Sequence, residues 1–83
     1  MYLDVGFPPA EAASLLIRTE LMHALDTVIT ERKLTQAQAG RLLGVSQPRV
    51  SDVVRGRLER FTIDALVEML AKAGVRLEIV AVR

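Results

Sequence analysis

Apolar residues recur at spacings of three and four through Ile17, Leu21, Ala24, Leu25, Val28 and Ile29, a single stripe at the helical period. The stretch from Ala10 to about Lys33 contains neither Gly nor Pro, and Pro8-Pro9 precedes it, where proline suits a helix's first turn. The pattern predicts one long helix starting near Pro9. Leu15, Leu16 and Met22 fall outside the stripe. The first half of this helix is therefore more apolar around its circumference than one core face requires, and those three residues form a candidate partner surface. A larger dimer interface accounts for the surplus equally well.

Thr35-Gln36-Ala37-Gln38 fits a capping box, in which the threonine hydroxyl accepts from the backbone three residues on and the glutamine reaches back. A second helix, barely two turns long, is predicted from Gln36 through Leu42-Leu43 to a stop at Gly44. Ser46 caps a third, with Pro48 in its first turn and Gly56 as its stop after Arg55. Thr62 caps a fourth, Phe61 is placed to staple onto Leu66, a stripe of Leu66, Met69 and Leu70 follows, and Gly74 lies beyond the end.

Val75-Arg76-Leu77-Glu78-Ile79 alternates apolar and charged residues and, with Val80-Ala81-Val82, reads as a β-strand. A lone strand leaves its backbone donors and acceptors unpaired. The same strand of a second copy is the simplest partner, which predicts a homodimer with Val75, Leu77 and Ile79 at its interface. The alternative is pairing with Met1–Val5 of the same chain. The expected organisation is an N-terminal arm (1–8), a mainly α four- to five-helix domain (9–74) and a C-terminal dimerisation strand (75–83).

Composition narrows the functional classes. A chain of 83 residues builds one small domain that buries about 60% of its unfolded surface, so burial against a partner is a plausible supplement to its core. With no cysteine and a single histidine, His23, neither a disulfide framework nor a metal site is expected, and no Gly-rich phosphate loop or carboxylate cluster suggests an enzyme, a cofactor or a small-molecule substrate. No apolar run approaches the roughly 18 residues of a membrane span, and no basic segment followed by an apolar one opens the chain. A cytoplasmic protein is the expectation.

Net charge is only +1, yet its placement is uneven. Residues 41–60 hold Arg41, Arg49, Arg55, Arg57 and Arg60 against Asp52 and Glu59 alone. A local excess of arginine suits a phosphate-binding face; on charge alone an ordinary solvated helix face serves as well. Two short helices joined by Gly44-Val45-Ser46 form a helix-turn-helix arrangement, whose second helix enters the DNA major groove in proteins that use it. Ala39 is small where the helices must approach, and Leu43, Val45, Val50 and Val53 can pack inward. Gln47, Arg49, Ser51, Asp52 and Arg55 remain polar and free to face outward.

The segments Leu34-Thr35-Gln36-Ala37-Gln38-Ala39 and Leu43-Gly44-Val45-Ser46-Gln47-Pro48-Arg49-Val50-Ser51-Asp52 resemble the phage-repressor and Cro type, the XRE family with its lambda-repressor-like helical bundle. Asp4-Val5-Gly6-Phe7-Pro8-Pro9, the long first helix, Phe61-Thr62-Ile63-Asp64 and Gly74-Val75-Arg76-Leu77-Glu78-Ile79 resemble HigA-type antitoxins of bacterial toxin–antitoxin pairs. The resemblance implies a repressor of its own operon, bound as a dimer to a palindromic operator on double-stranded DNA and neutralising a RelE-like toxin of the HigB type. In a bacterial cytoplasm it would associate with the nucleoid when on DNA. The alternatives are a stand-alone XRE-family repressor and a protein-interaction module without DNA.

The resemblance places Gln47 at a base-reading position, where its amide matches adenine N6 and N7; a glutamine solvating a helix end is the plainer role. Arg49 has the planar fork for guanine O6 and N7 or for a phosphate. Ser51 and Asp52 complete the base-reading set, although Asp52 stands three residues from both Arg49 and Arg55 and can instead pair with either. Pro48 offers only apolar contact. Gln36, Ser46, Arg55, Arg57 and Arg60 are the candidate phosphate contacts, with Arg57 and Arg60 otherwise solvated.

Overall fold

The computed structural model describes residues 9–82, and the N-terminal arm at residues 1–8, with its alternative pairing to the C-terminal segment, lies outside them. Four α-helices follow one another: α1 (Pro9–Glu31), α2 (Gln36–Leu43), α3 (Gln47–Val54) and α4 (Ile63–Lys72), with a 3₁₀ turn at Leu58–Arg60 between the last two. The Thr35 capping box forms with both of its bonds, Gln38 N–H to Thr35 Oγ1 at 3.1 Å and Thr35 N–H to Gln38 Oε1 at 2.9 Å. Ser46 and Thr62 cap α3 and α4 through their hydroxyls.

All four helices end in the same way. A residue with positive φ (Lys33, Gly44, Gly56 or Gly74) follows the helix. The next amide then reaches back to a carbonyl five residues earlier: Leu34 to Ile29, Val45 to Gly40, Arg57 to Asp52 and Val75 to Leu70. These are Schellman turns, which satisfy carbonyls that a helix end leaves orphaned. Three use glycine, for which the conformation carries no Cβ penalty. Lys33, at φ 53, is an exception that apolar periodicity does not reveal.

The core joins Met22, Leu25 and Ile29 of α1 to Leu43 of α2, Val50 and Val53 of α3, and Leu66, Met69 and Leu70 of α4. Leu25, Leu43, Leu66 and Leu70 are fully buried, each worth about 1.5–3 kcal/mol relative to exposure. Phe61 and Leu66, the expected staple, are both buried.

Arg18 of α1 and Arg32, the residue just after it, tie this part of the chain to the rest of the molecule. Arg18 Nη1 donates to the Leu58 carbonyl at 3.2 Å, and Arg32 Nη2 to the Ala73 carbonyl beyond α4 at 3.1 Å.

The buried face of α1 is rotated from the apolar stripe. Met22, placed by its pattern on a partner surface, is 4% exposed and belongs to the core, whereas Ile17 is 45% exposed. Leu15 and Leu16 are half-buried. The cause is Arg18, which lies one turn before Met22 on the core-facing side and uses that place to bond the 3₁₀ turn. A charged residue at the end of the inward row makes periodicity select its neighbour Ile17 instead.

The C-terminal strand does not form within the chain. Among the described residues there is no β-strand, and residues 75–82 carry no ladder. Val75 is the final piece of the α4 Schellman turn and packs against the core rather than standing in a strand. The alternation that suggests a strand is real, yet a strand is defined by its partner's hydrogen bonds. Leu77 sits at 38% exposure beside α1 and α4, and beyond it the apolar side chains are in the open, with Ile79 96% exposed.

Candidate nucleic-acid interface

The α2–α3 unit is locked at one point of close approach. A Cβ built on Gly40 would lie 2.7 Å from the Val45 carbonyl oxygen, closer than real Cβ atoms come. Gly40, rather than its neighbour Ala39, is thus where the turn crosses α2; Ala39 is fully buried beside it. Leu43, Val50 and Val53 fill the angle between the helices, and Val45 packs partly against them.

With Val50 and Val53 directed inward, the opposite side of α3 is defined. Gln47, Pro48 and Arg55 are exposed and Ser51 half-buried, at spacings that put them along one outward ridge. At the foot of the ridge an open recess separates α2 from the start of α3, lined by Ala37, Gly40 and Arg41 on one side and by Ser46 and Gln47 on the other. Gln36 is exposed at the start of α2. Arg41, part of the local arginine excess, is a further candidate contact: it stands one turn after Ala37 on the side of α2 that lines the recess. A further cation, Lys72 of α4, lies against Gly44 at the back of the turn, where a Cβ would come within 2.7 Å of its Nζ.

Arg49 and Asp52 leave the ridge for its flank. The Arg49 guanidinium lies 4.0 Å from the centroid of the Phe61 ring, and its Nη1 donates to the Arg60 carbonyl at 2.8 Å. Cation–π contacts of this kind contribute about 0.5–2 kcal/mol, so Arg49 fastens α3 to the segment entering α4.

Asp52 pairs with neither Arg49 nor Arg55. Its Oδ1 accepts from Arg60 Nη1 at 3.2 Å and stands 3.9 Å from Arg57 Nε. The Schellman turn at Gly56 folds the chain back and delivers Arg57 to Asp52. A pairing rule confined to one helix cannot include it. Three of the five arginines of residues 41–60 are thereby engaged within the chain, while Arg41 and Arg55 are exposed.

Among the described residues no group of His, Cys, Asp and Glu is arranged to hold a metal ion, and no helix is long and apolar enough to cross a membrane. His23 is exposed on α1, beside a shallow recess that it shares with Val53, Val54 and Gly56 at the end of α3.

Comparison with known proteins agrees with this geometry. Residues 1–82 match the model of a family described as a helix-turn-helix domain. A solved structure described by assignment as an XRE-family transcriptional regulator is 33% identical, with a TM-score of 0.80 over 88% of this chain and 82% of that one. No curated protein matches the chain.

Proposed function

Because the chain belongs to the helix-turn-helix domain family and resembles, along most of its length, a solved structure described as an XRE-family transcriptional regulator, we propose that it is a sequence-specific DNA-binding transcriptional regulator. The carrying observation is the outward ridge of α3, which packs closely at the Gly40 crossing and is tied at its flank by the Arg49–Phe61 contact. Gln47 and Ser51 address base edges from that ridge, Pro48 offers apolar contact, and Arg55 takes a phosphate. Gln36 and Arg41 meet the backbone on the other side of the recess, and Ser46 presents the start of α3 to it. Arg49 contributes to base reading only by leaving Phe61; on Phe61 it positions the helix.

The exposed apolar tail at residues 77–82 and its unpaired backbone support a homodimer joined by strand pairing, with two α3 helices on a palindromic operator. A role as antitoxin is the second reading. It is favoured by the apolar groove of Ile17, Leu21, Ile63, Val67 and Leu77 between α1, α4 and the tail, an uncovered surface of the kind a protein partner such as a RelE/HigB-like toxin buries, and by the resemblance of the flanks. Recovery of such a toxin with the tagged chain from its own cells is the expected result, and recovery of DNA alone leaves the stand-alone repressor.

The direct test is selection of duplexes from a random pool by the full chain, followed by titration of the selected site. Gln47→Ala should weaken binding to that site by about 1–3 kcal/mol and leave binding to scrambled DNA nearly unchanged. Equal losses on both duplexes would show that Gln47 touches only the backbone.

A further inference from the structure

Asp52 is the one carboxylate on the flank of α3, and its side chain is only 14% exposed. It faces two guanidinium groups, Arg60 at 3.2 Å and Arg57 at 3.9 Å, whose side chains are 51% and 36% exposed. An outward, base-reading aspartate would keep its oxygens toward the groove to accept from cytosine N4. Here the oxygens turn back onto the chain's own arginines.

Arg57 is held at both ends, its amide on the Asp52 carbonyl at 3.0 Å and its Nε toward the Asp52 carboxylate. Arg60 is likewise held twice, since its carbonyl receives Arg49 while its guanidinium donates to Asp52. The segment after α3 is thus drawn onto α3, with two positive groups neutralised in part by one negative group.

From this arrangement we infer that Asp52 is a specificity-determining residue that reads no base: it withholds Arg57 and Arg60 from DNA phosphates. The inference rests on the DNA-binding reading above. Arginine–phosphate contacts hold any DNA sequence equally. A protein that commits two of its five local arginines to an internal carboxylate therefore keeps its grip on random DNA weak. On the cognate site the α3 base contacts seat the duplex against this flank, and phosphate oxygens replace the carboxylate. On random DNA nothing drives that exchange. Asp52 thereby widens the ratio of operator to random affinity.

The test uses the full chain titrated with a scrambled duplex and with the selected duplex across a salt series. Asp52→Asn preserves an oxygen acceptor and removes the charge. Its binding to scrambled DNA should tighten about tenfold at low salt, and log K against log salt should steepen by about 0.9 for each arginine released. The operator-to-random ratio should fall. In an Arg57→Gln/Arg60→Gln background the same Asp52→Asn change should have no effect on scrambled DNA. An equal gain in that background overturns the inference, because Asp52 then repels phosphate directly. A loss confined to the selected duplex also overturns it and makes Asp52 a base reader.

If Asp52→Asn loses its helical signal, the wild-type background still decides. Arg60→Gln should flatten the salt slope on scrambled DNA by less than Arg55→Gln does, and equal flattening overturns the inference. A wild-type chain that holds no duplex of any sequence removes the DNA-binding reading and this inference together, a result distinct from all the others.

Discussion

Two backbone positions carry opposite lessons at the scale of a single residue. Gly40 has no room for a methyl group, because the Val45 carbonyl oxygen occupies the place of its Cβ at 2.7 Å. Gly40→Ala should cost about 1–3 kcal/mol in thermal or denaturant unfolding and should displace α3 enough to abolish operator binding. A stable variant with intact binding would show that the turn has room to move. Lys33 holds a left-handed conformation at φ 53, which costs an L-residue roughly 1–2 kcal/mol, part of which glycine's greater unfolded-state freedom offsets. Lys33→Gly should therefore raise stability by about 0.5–1 kcal/mol. A lower melting temperature would mean that the lysine side chain gives back more than its backbone costs.

At the scale of the element, α2 and α3 are eight residues each, well under the length at which a helix holds itself in water. Their persistence rests on caps and on burial of one face. The Thr35 box has two bonds, at 2.9 and 3.1 Å, while the Ser46 cap has one long bond of 3.4 Å. Thr35→Ala should cost about 1 kcal/mol, a drop in melting temperature of about 4–8 °C for a domain of this size, and Ser46→Ala should cost less. Calorimetry that ranks the two the other way would show that Ser46 has a structural partner beyond its cap. The box and the turn were legible in the sequence because each is a local pattern of a few residues. The rotation of α1 was not, because Arg18 sits at the end of the core-facing row for the sake of a carbonyl forty positions away.

For the whole molecule, the core closes without the tail. Val75 completes the α4 turn and packs inward, while Ile79, Val80 and Val82 are largely exposed. Ending the chain after Arg76 should leave the unfolding transition nearly where it is. The same truncation should convert a dimer at micromolar concentration into a monomer in sedimentation, with loss of cooperative binding to the palindrome. A truncated chain that still sediments as a dimer would move the interface to the groove between α1 and α4.

The four helices, three of their caps, the glycine stops and the helix-turn-helix follow directly from the order of residues, since these depend on spacing and on residue chemistry within one or two turns. That order also marks Gln47 and Ser51 for the outer side of α3, because Val50 and Val53 had to face inward. The surroundings of Met22, Val75, Arg49 and Asp52 do not follow from local pattern. Each is settled by a partner from another part of the chain: the packed core, the end of α4, the Phe61 ring, and the arginines that the Gly56 turn brings back. The tail keeps its alternating pattern without forming a strand, because the hydrogen bonds that make a strand belong to a pair.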